Sequence, residues 1–278
     1  MKSSLPKVLF PIAGKPMVAH VLDAVCESEI ERVVLVIGHS ADRLRETLSN
    51  VHIKNKNLEF VEQREQLGTG HAVLQARDLL RGNADMILVL HADHPLIRPG
   101  TLKNLIDRHR ESHSTITMLT VLSDDSMEFG RVLRDEKNAV VGIVEESDAN
   151  PQQLAIRELN CGTYCFDAKW LWEHLPKVQP SGKKQEYYLT DLVGLAVKEK
   201  SRVDAVLASD PSEVIGINTR VHLARAEKIM RQRINEALMV SGVTIVDPDT
   251  AFVDAGVEIG LDTTIERTHT SAAKRAWL

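Results

Sequence analysis

The spacing of hydrophobic positions along this chain changes several times, and each change marks an element. Val18, Val21, Leu22 and Val25 recur at helical spacing, and Pro16 after Gly14 suits the first turn of that helix. RVVLVIGH at 32–39 is short, β-branched and ended by glycine, the pattern of a buried parallel strand. The same reading predicts a helix over about 40–49, a strand over 58–61, a helix over 70–80 and a strand DMILVLHAD over 85–93. Pro99 opens another helix to about Ser112, and STITMLTVL is a further strand. Helices and strands alternating with short links predict an α/β fold, a doubly wound, mostly parallel, Rossmann-like sheet. In such sheets ligands bind beyond the carboxyl ends of strands, and Asp93 stands at one.

From about Gly130 the pattern turns to hairpins. GRVLRDEKNAVVGIVE reads as two strands around a polar turn, and LAIRELNCGTYCF as another strand. EYYLTDLVGLAVKE is helical, with Thr190 as its expected cap. A long helix runs from Thr219 to about Val240 and suits a connector. After Gly242, Val253, Ile259 and Ile265 fall six apart among small residues, Gly and Asp, the mark of a parallel β-helix coil. The expected organisation is a domain over 1–218, a connector helix over 219–241, the first coils of a β-helix over 242–266 and an irregular tail over 267–278.

The bulk composition narrows the picture. The 278 residues are 43% hydrophobic and 26% charged, an ordinary soluble composition that argues against disorder. A net charge of −5 argues against a generic nucleic-acid surface, so an anionic ligand needs locally placed Lys and Arg. Cys26, Cys161 and Cys165 make no disulfide framework, and the latter two read as core thiols. Neither a signal peptide nor a membrane-spanning run is read, which predicts a cytoplasmic protein with no membrane partner.

Several short stretches carry candidate chemistry. Lys7 in LPKVL is placed to meet an anion, though no strand or glycine-rich loop precedes it. In QREQLGTGHA (63–72) Gly68 and Gly70 flank Thr69 ahead of a helix, either a backbone approach to an anionic ligand or a tight strand-to-helix turn. LHADHP sets His91 and Asp93 on one side of a strand end. Asp93 there is a Mg²⁺ ligand, part of a zinc cluster with His91 and His94, or a polar strand terminus. In IGINTR either Asn218 or Thr219 caps the long helix, or Asn218 gives its amide oxygen to a metal, two roles that compete for one atom. Glu145 and Asn160, taken alone, are surface or turn residues.

Taken in order, LPKVLFPIAGKPM, EQLGTGHA, LHADHPL, FGRVLRD, GIVEESDA, LNCGTYCF, EYYLTD and IGIN resemble one family. It is the bacterial bifunctional N-acetylglucosamine-1-phosphate uridylyltransferase / glucosamine-1-phosphate N-acetyltransferase. The likeness runs from Lys2 to about Glu266, and the hexads after Gly242 resemble the start of that family's left-handed β-helix. It implies Mg²⁺-dependent transfer of uridylyl from UTP to N-acetylglucosamine 1-phosphate, giving UDP-N-acetylglucosamine for cell-envelope precursors. By the same resemblance Lys7 contacts phosphate, and Gln63, Gly68 and Thr69 bind uridine, Gln63 reading the uracil edge. Asp93 and Asn218 are the implied Mg²⁺ ligands, Asn218 also among the substrate contacts. Lys7 and Asp93 are the implied catalytic pair, and Gly130, Glu145 and Asn160 contact N-acetylglucosamine.

The sequence also departs from the family pattern. Met1 coincides with the last residue of the family's L-A-A-G-x-G-T-R-M loop, and the strand before that loop is not in this sequence. That strand would lie centrally in the sheet, so apolar edges and unpaired backbone groups are expected there. His91-Ala92 stands where the family has an aromatic and a glycine. Most of the β-helix, with its acetyl-CoA residues and the contacts of family trimers, lies outside this sequence, so acetyl transfer is not expected of it. The rival reading is a non-catalytic remnant that at most binds sugar nucleotide or associates with a full-length copy.

Overall fold

A computed structural model describes residues 1–28, 30–38, 41–49 and 57–267. The chain opens with a 3₁₀ turn at Lys7–Leu9 and a small hairpin, β1 (Pro11–Ile12) and β2 (Lys15–Pro16), leading into α1 (Met17–Cys26). There follow β3 (Arg32–Ile37), α2 (Ala41–Ser49), β4 (Asn57–Glu62), α3 (Thr69–Gln75), α4 (Arg77–Leu80) and β5 (Met86–Val89). Next come α5 (Pro99–Ser112), β6 (Ile116–Leu122), β7 (Arg131–Arg134), β8 (Val140–Val144), α6 (Pro151–Leu154) and β9 (Glu158–Asp167). The remainder is α7 (Ala168–His174), α8 (Asp191–Lys198), β10 (Val203–Leu207), α9 (Arg220–Val240), β11 (Thr244–Ile245) and β12 (Thr264–Ile265).

The main sheet runs β10-β6-β9-β7-β8, with β5 also paired to β9. The long β9 is antiparallel to β5, β6 and β7, and β10 is parallel to β6, so β5, β6, β7 and β10 share one direction. Period-two alternation on β9 builds a core on each face. Tyr164 and Phe166 pack with Leu171 of α7 and Leu192 of α8, while Leu159, Cys161 and Cys165 pack with Leu102, Leu105 and Ile106 of α5. Burial pushes both thiols up, Cys165 to about 12, as suits inert core cysteines. Proline at the start of α5 and left-handed His113 (φ 49°) at its end fix that helix, whose buried Leu102, Leu105 and Ile106 each contribute about 1.5–3 kcal/mol.

Several predicted elements differ in extent: the helix read from Glu186 starts at Asp191, and the strand read from Leu154 starts at Glu158. The helix expected over 70–80 is broken at Ala76 into α3 and α4. The strand expected over 85–93 ends at Val89, because the next residues turn, with His94 N–H donating to the His91 carbonyl at 3.3 Å and Pro95 unable to donate.

β3 and β4 form a separate parallel pair, in register from Arg32 opposite Asn57 to Ile37 opposite Glu62. Between β3 and β5 lies a cavity of about 690 Å³, walled by Val33–Leu35, Met86–Leu88 and the Val18, Val21, Leu22 and Val25 face of α1. Among the described residues neither strand has a ladder partner on that side.

α9 packs Leu223, Ala226 and Ile229 with Phe10, Ile12 and Leu96. At its far end β11 and β12 pair in parallel, Thr244 opposite Thr264 and Ile245 opposite Ile265. Buried Asn235 of α9 donates to the carbonyls of Pro248 (2.8 Å) and Ala251 (3.1 Å), tying this segment to the helix. Beyond Arg267 the expected tail lies outside the described residues. Among those described, no helix is long and apolar enough to cross a membrane.

The open edges predict uneven protection. In hydrogen exchange, amides of β3 and β5 that point into the cavity should exchange at least about tenfold faster than those of the β6–β9 ladder. Equal protection would mean the gap is closed in solution.

Candidate active site

Three segments distant in sequence meet at the carboxyl end of β5. The Lys7 ammonium donates to Asp93 Oδ2, and to Asn218 Oδ1 at 2.8 Å. The Ile217 N–H donates to the Asp93 carbonyl at 3.1 Å, joining the two acceptor loops through their backbones. The competition between cap and ligand at Asn218 is resolved by its neighbour. Thr219 Oγ1 accepts from the His222 N–H at 3.1 Å and caps α9, leaving Asn218 Oδ1 to face the cation.

Two oxygens therefore converge on one positive charge, and a carboxylate with an amide oxygen is chemically a donor pair of the kind Mg²⁺ takes. The zinc alternative is not supported: among the described residues no three His, Cys, Asp or Glu side chains cluster as metal ligands. His94 is buried and His91 half-buried, with ring centroids 5.2 Å apart. Burial, then the neighbouring His91, pushes His94 down to about 4, and burial lowers His91 too, so both are neutral at pH 7. Burial works against the Asp93 carboxylate. In the acid range where it titrates, the charges of His94, Lys7 and His91 outweigh that and hold its pKa below the usual value.

The LGTG and EYYL segments are stitched together by their backbones. Tyr187 N–H donates to the Leu67 carbonyl (2.8 Å), Gly70 N–H to the Tyr187 carbonyl (2.7 Å), and Leu189 N–H to Thr69 Oγ1 (3.0 Å). Gly68 has φ +112°, and a β-carbon there would lie 2.7 Å from the Tyr187 carbonyl oxygen. The glycine thus admits another stretch of this chain, which sharpens the tight-turn reading. Gln63 Nε2 donates to the Gly68 carbonyl and to His71 Nδ1, each at 3.1 Å, which fixes its amide beside the same turn.

On the opposite side, Asn160 N–H donates to the Gly130 carbonyl at 2.8 Å. Asn160 Oδ1 accepts from the Gly162 N–H (3.2 Å) and the Tyr164 hydroxyl (2.8 Å). The expected cap of α8 is corrected here. Thr190 stands at the N-cap but makes no side-chain cap bond, and its hydroxyl donates instead to Glu145 Oε1 at 2.7 Å. Burial pushes the Glu145 carboxyl up, the Thr190 hydrogen bond opposes it, and Asp191 and Asp148 add to the rise.

A single cavity of about 480 Å³ brings Gln63, Thr69, Asp93, Gly130, Glu145, Asn160 and Asn218 together. Lys7 reaches it through Asp93 and Asn218, and Gly68 sits behind Thr69 against Tyr187. Glu128 and Tyr188, for which the residue pattern predicts no role, also line it, as does His94. His91 packs so closely on Gly162 (φ +70°) that a β-carbon there would collide with its Nε2.

An α/β sheet with a cation-binding cluster at the strand ends, between two groups of polar contacts, has the architecture of a nucleotide-handling transferase. Residues 2–241 match the family described as nucleotidyl transferase, and the chain belongs to that family. It is 44% identical over 266 residues to the bifunctional protein GlmU of Enterococcus faecalis, covering 96% of this chain and 57% of that one. It is 45% identical over 263 residues to the protein of that name from Lactococcus lactis subsp. lactis, covering 95% and 56%. The chain thus spans a little over half the length of these relatives. Its fold resembles a UDP-glucose pyrophosphorylase complexed with UDP-glucose (TM-score 0.64, 18% identity, 82% of this chain and 91% of that one). It also resembles HddC from Yersinia pseudotuberculosis complexed with GMP-PN (TM-score 0.60, 20% identity, 83% and 92%).

The raised Glu145 predicts a cost in stability with a defined pH window. The folded state favours the protonated acid, so the cost is absent below the ordinary glutamate pKa and complete above the raised one. Glu145→Gln should melt higher than the parent at neutral pH, and thermal melts should show that gain shrinking as pH falls through the carboxylate range. A gain independent of pH would contradict the shift.

Proposed function

We propose that this chain carries the site for uridylyl transfer from UTP to N-acetylglucosamine 1-phosphate, giving UDP-N-acetylglucosamine and pyrophosphate. The observation that carries the reading is the convergence of Asp93 Oδ2 and Asn218 Oδ1 on the Lys7 ammonium, between the Gln63–Thr69 side and the Glu145–Asn160 side of one cavity. The motif resemblance, the relatives named GlmU and the fold likeness to a UDP-glucose pyrophosphorylase point the same way.

The chemistry asks little of the protein beyond placement and charge. The sugar phosphate is an anionic nucleophile at neutral pH, since the second pKa of a phosphate monoester is about 6, so no general base is needed. One of its oxygens bonds to the α-phosphorus of UTP as the bond from that phosphorus to the bridging oxygen breaks, and pyrophosphate leaves with the electron pair. Gln63, Gly68 and Thr69 hold the uridine, the Gln63 amide meeting the uracil edge. Gly130, Glu145 and Asn160 hold the sugar in line with the α-phosphate. Lys7 swings from Asp93 and Asn218 to the phosphates and neutralises charge on the leaving group. Asp93 and Asn218 would hold Mg²⁺, which supplies further positive charge to the phosphates when bound.

The same reading assigns residues 1–218 to the transferase domain, 219–241 to a connector and 242–266 to the start of a left-handed β-helix. The parallel pairing of Thr244–Ile245 with Thr264–Ile265 favours the last assignment. The setting is cytoplasmic, the partners are UTP and the sugar phosphate, and assembly is trimeric where a longer β-helix is present. One observation favours the binding-only alternative: the cavity between β3 and β5 leaves the centre of the sheet open.

Pyrophosphate release from UTP, N-acetylglucosamine 1-phosphate and Mg²⁺ separates the two. Turnover that falls about 10²–10³-fold in Lys7→Ala supports transfer. A folded sample that binds UDP-N-acetylglucosamine but releases no pyrophosphate above the Lys7→Ala control supports the binding-only reading.

A further inference from the structure

Met127 and Glu128, at the rim of the site, both have left-handed backbone, with φ +50° and +59°. That region favours glycine, and two consecutive residues with β-carbons occupy it only when their surroundings impose it. The loop is held by its own turns: Phe129 N–H donates to the Ser126 carbonyl (3.0 Å) and Met127 N–H to Asp125 Oδ1 (3.2 Å). Glu128 is exposed and lines the cavity, and its Oε2 accepts from Asn218 Nδ2 at 3.3 Å.

Asn218 therefore sits between opposite charges, its Oδ1 facing the Lys7 ammonium and its Nδ2 the Glu128 carboxylate. The two ends of a side-chain amide are nearly isosteric, and a half-turn exchanges them. An ammonium or metal ion needs the oxygen end, so a carboxylate that holds the nitrogen end selects the productive orientation. We propose that Glu128 is a positioning residue: its carboxylate holds the Asn218 amide so that Oδ1 faces the cation shared with Asp93. The strained backbone at 127–128 brings that carboxylate into reach. The inference rests on the reading of Asp93 and Asn218 as the metal-binding pair.

Two variants of the full chain test it. Glu128→Gly relaxes the backbone and removes the acceptor, while Glu128→Gln keeps an acceptor oxygen and removes only the charge. The probe is Mn²⁺ alone, followed by its electron paramagnetic resonance signal. Glu128→Gly should melt no lower than the parent yet bind Mn²⁺ about tenfold or more weakly, whereas Glu128→Gln should stay within about twofold of the parent. Without metal, the side-chain NH₂ of Asn218 in a chain labelled with ¹⁵N-asparagine should exchange slowly in the parent and Glu128→Gln, and fast in Glu128→Gly. Parental Mn²⁺ affinity or a slowly exchanging NH₂ in Glu128→Gly would overturn the proposal. So would a Glu128→Gln as weak as Glu128→Gly, because charge rather than orientation would then be the cause. Failure of the metal reading itself would look different: the parent would bind no Mn²⁺, or would bind it equally well after Asp93→Asn, and the inference would fall with it.

Discussion

The ammonium of Lys7 is the point through which the site is assembled. It binds acceptors 86 and 211 residues away in sequence, and with it the first turn of the chain, the end of β5 and the start of α9 meet. Asp93 is half-buried while Asn218 is exposed, and the ammonium between their oxygens offsets the repulsion of two acceptors turned toward each other. The surrounding bonds make this geometry stiff. Arg233 of α9 donates to the Leu96 carbonyl at 2.6 Å, so the long helix is fastened to the loop that carries Asp93.

The two binding sides are built differently. On one, backbone meets backbone: Gly68 and Gly70 make room for Tyr187, and Thr69 accepts from Leu189. On the other, side chains spend their polar groups on each other, with Thr190 on Glu145 and Tyr164 on Asn160. The raised Glu145 marks a carboxylate whose burial costs stability.

Much of the framework was legible in the sequence because it follows from periodicity. α5 begins at Pro99 and ends at Ser112 as read, since Leu102, Leu105 and Ile106 announce a helix packed on one face. What the pattern could not carry was competition for single atoms. Thr190 has the composition of a cap, but a buried carboxylate takes its hydroxyl, while Thr219 takes the capping role and leaves Asn218 its oxygen. The part EYYL plays is made with backbone groups, which residue identity does not encode. Glu128 gave no signal at all, because neither its φ nor its partner on α9's approach is written in its neighbours.

The account requires nucleotide, sugar and cation to meet in one cavity, with Lys7 exchanging its acceptors for phosphate. A crystal structure of the chain with UDP-N-acetylglucosamine and Mn²⁺ tests this most directly. The account predicts anomalous density for Mn²⁺ between Asp93 and Asn218, Lys7 Nζ on a phosphate oxygen, the uracil at Gln63 and the sugar at Glu145 and Asn160. Mn²⁺ bound elsewhere, or Lys7 still on Asp93 and Asn218 with the sugar nucleotide outside this cavity, would contradict it.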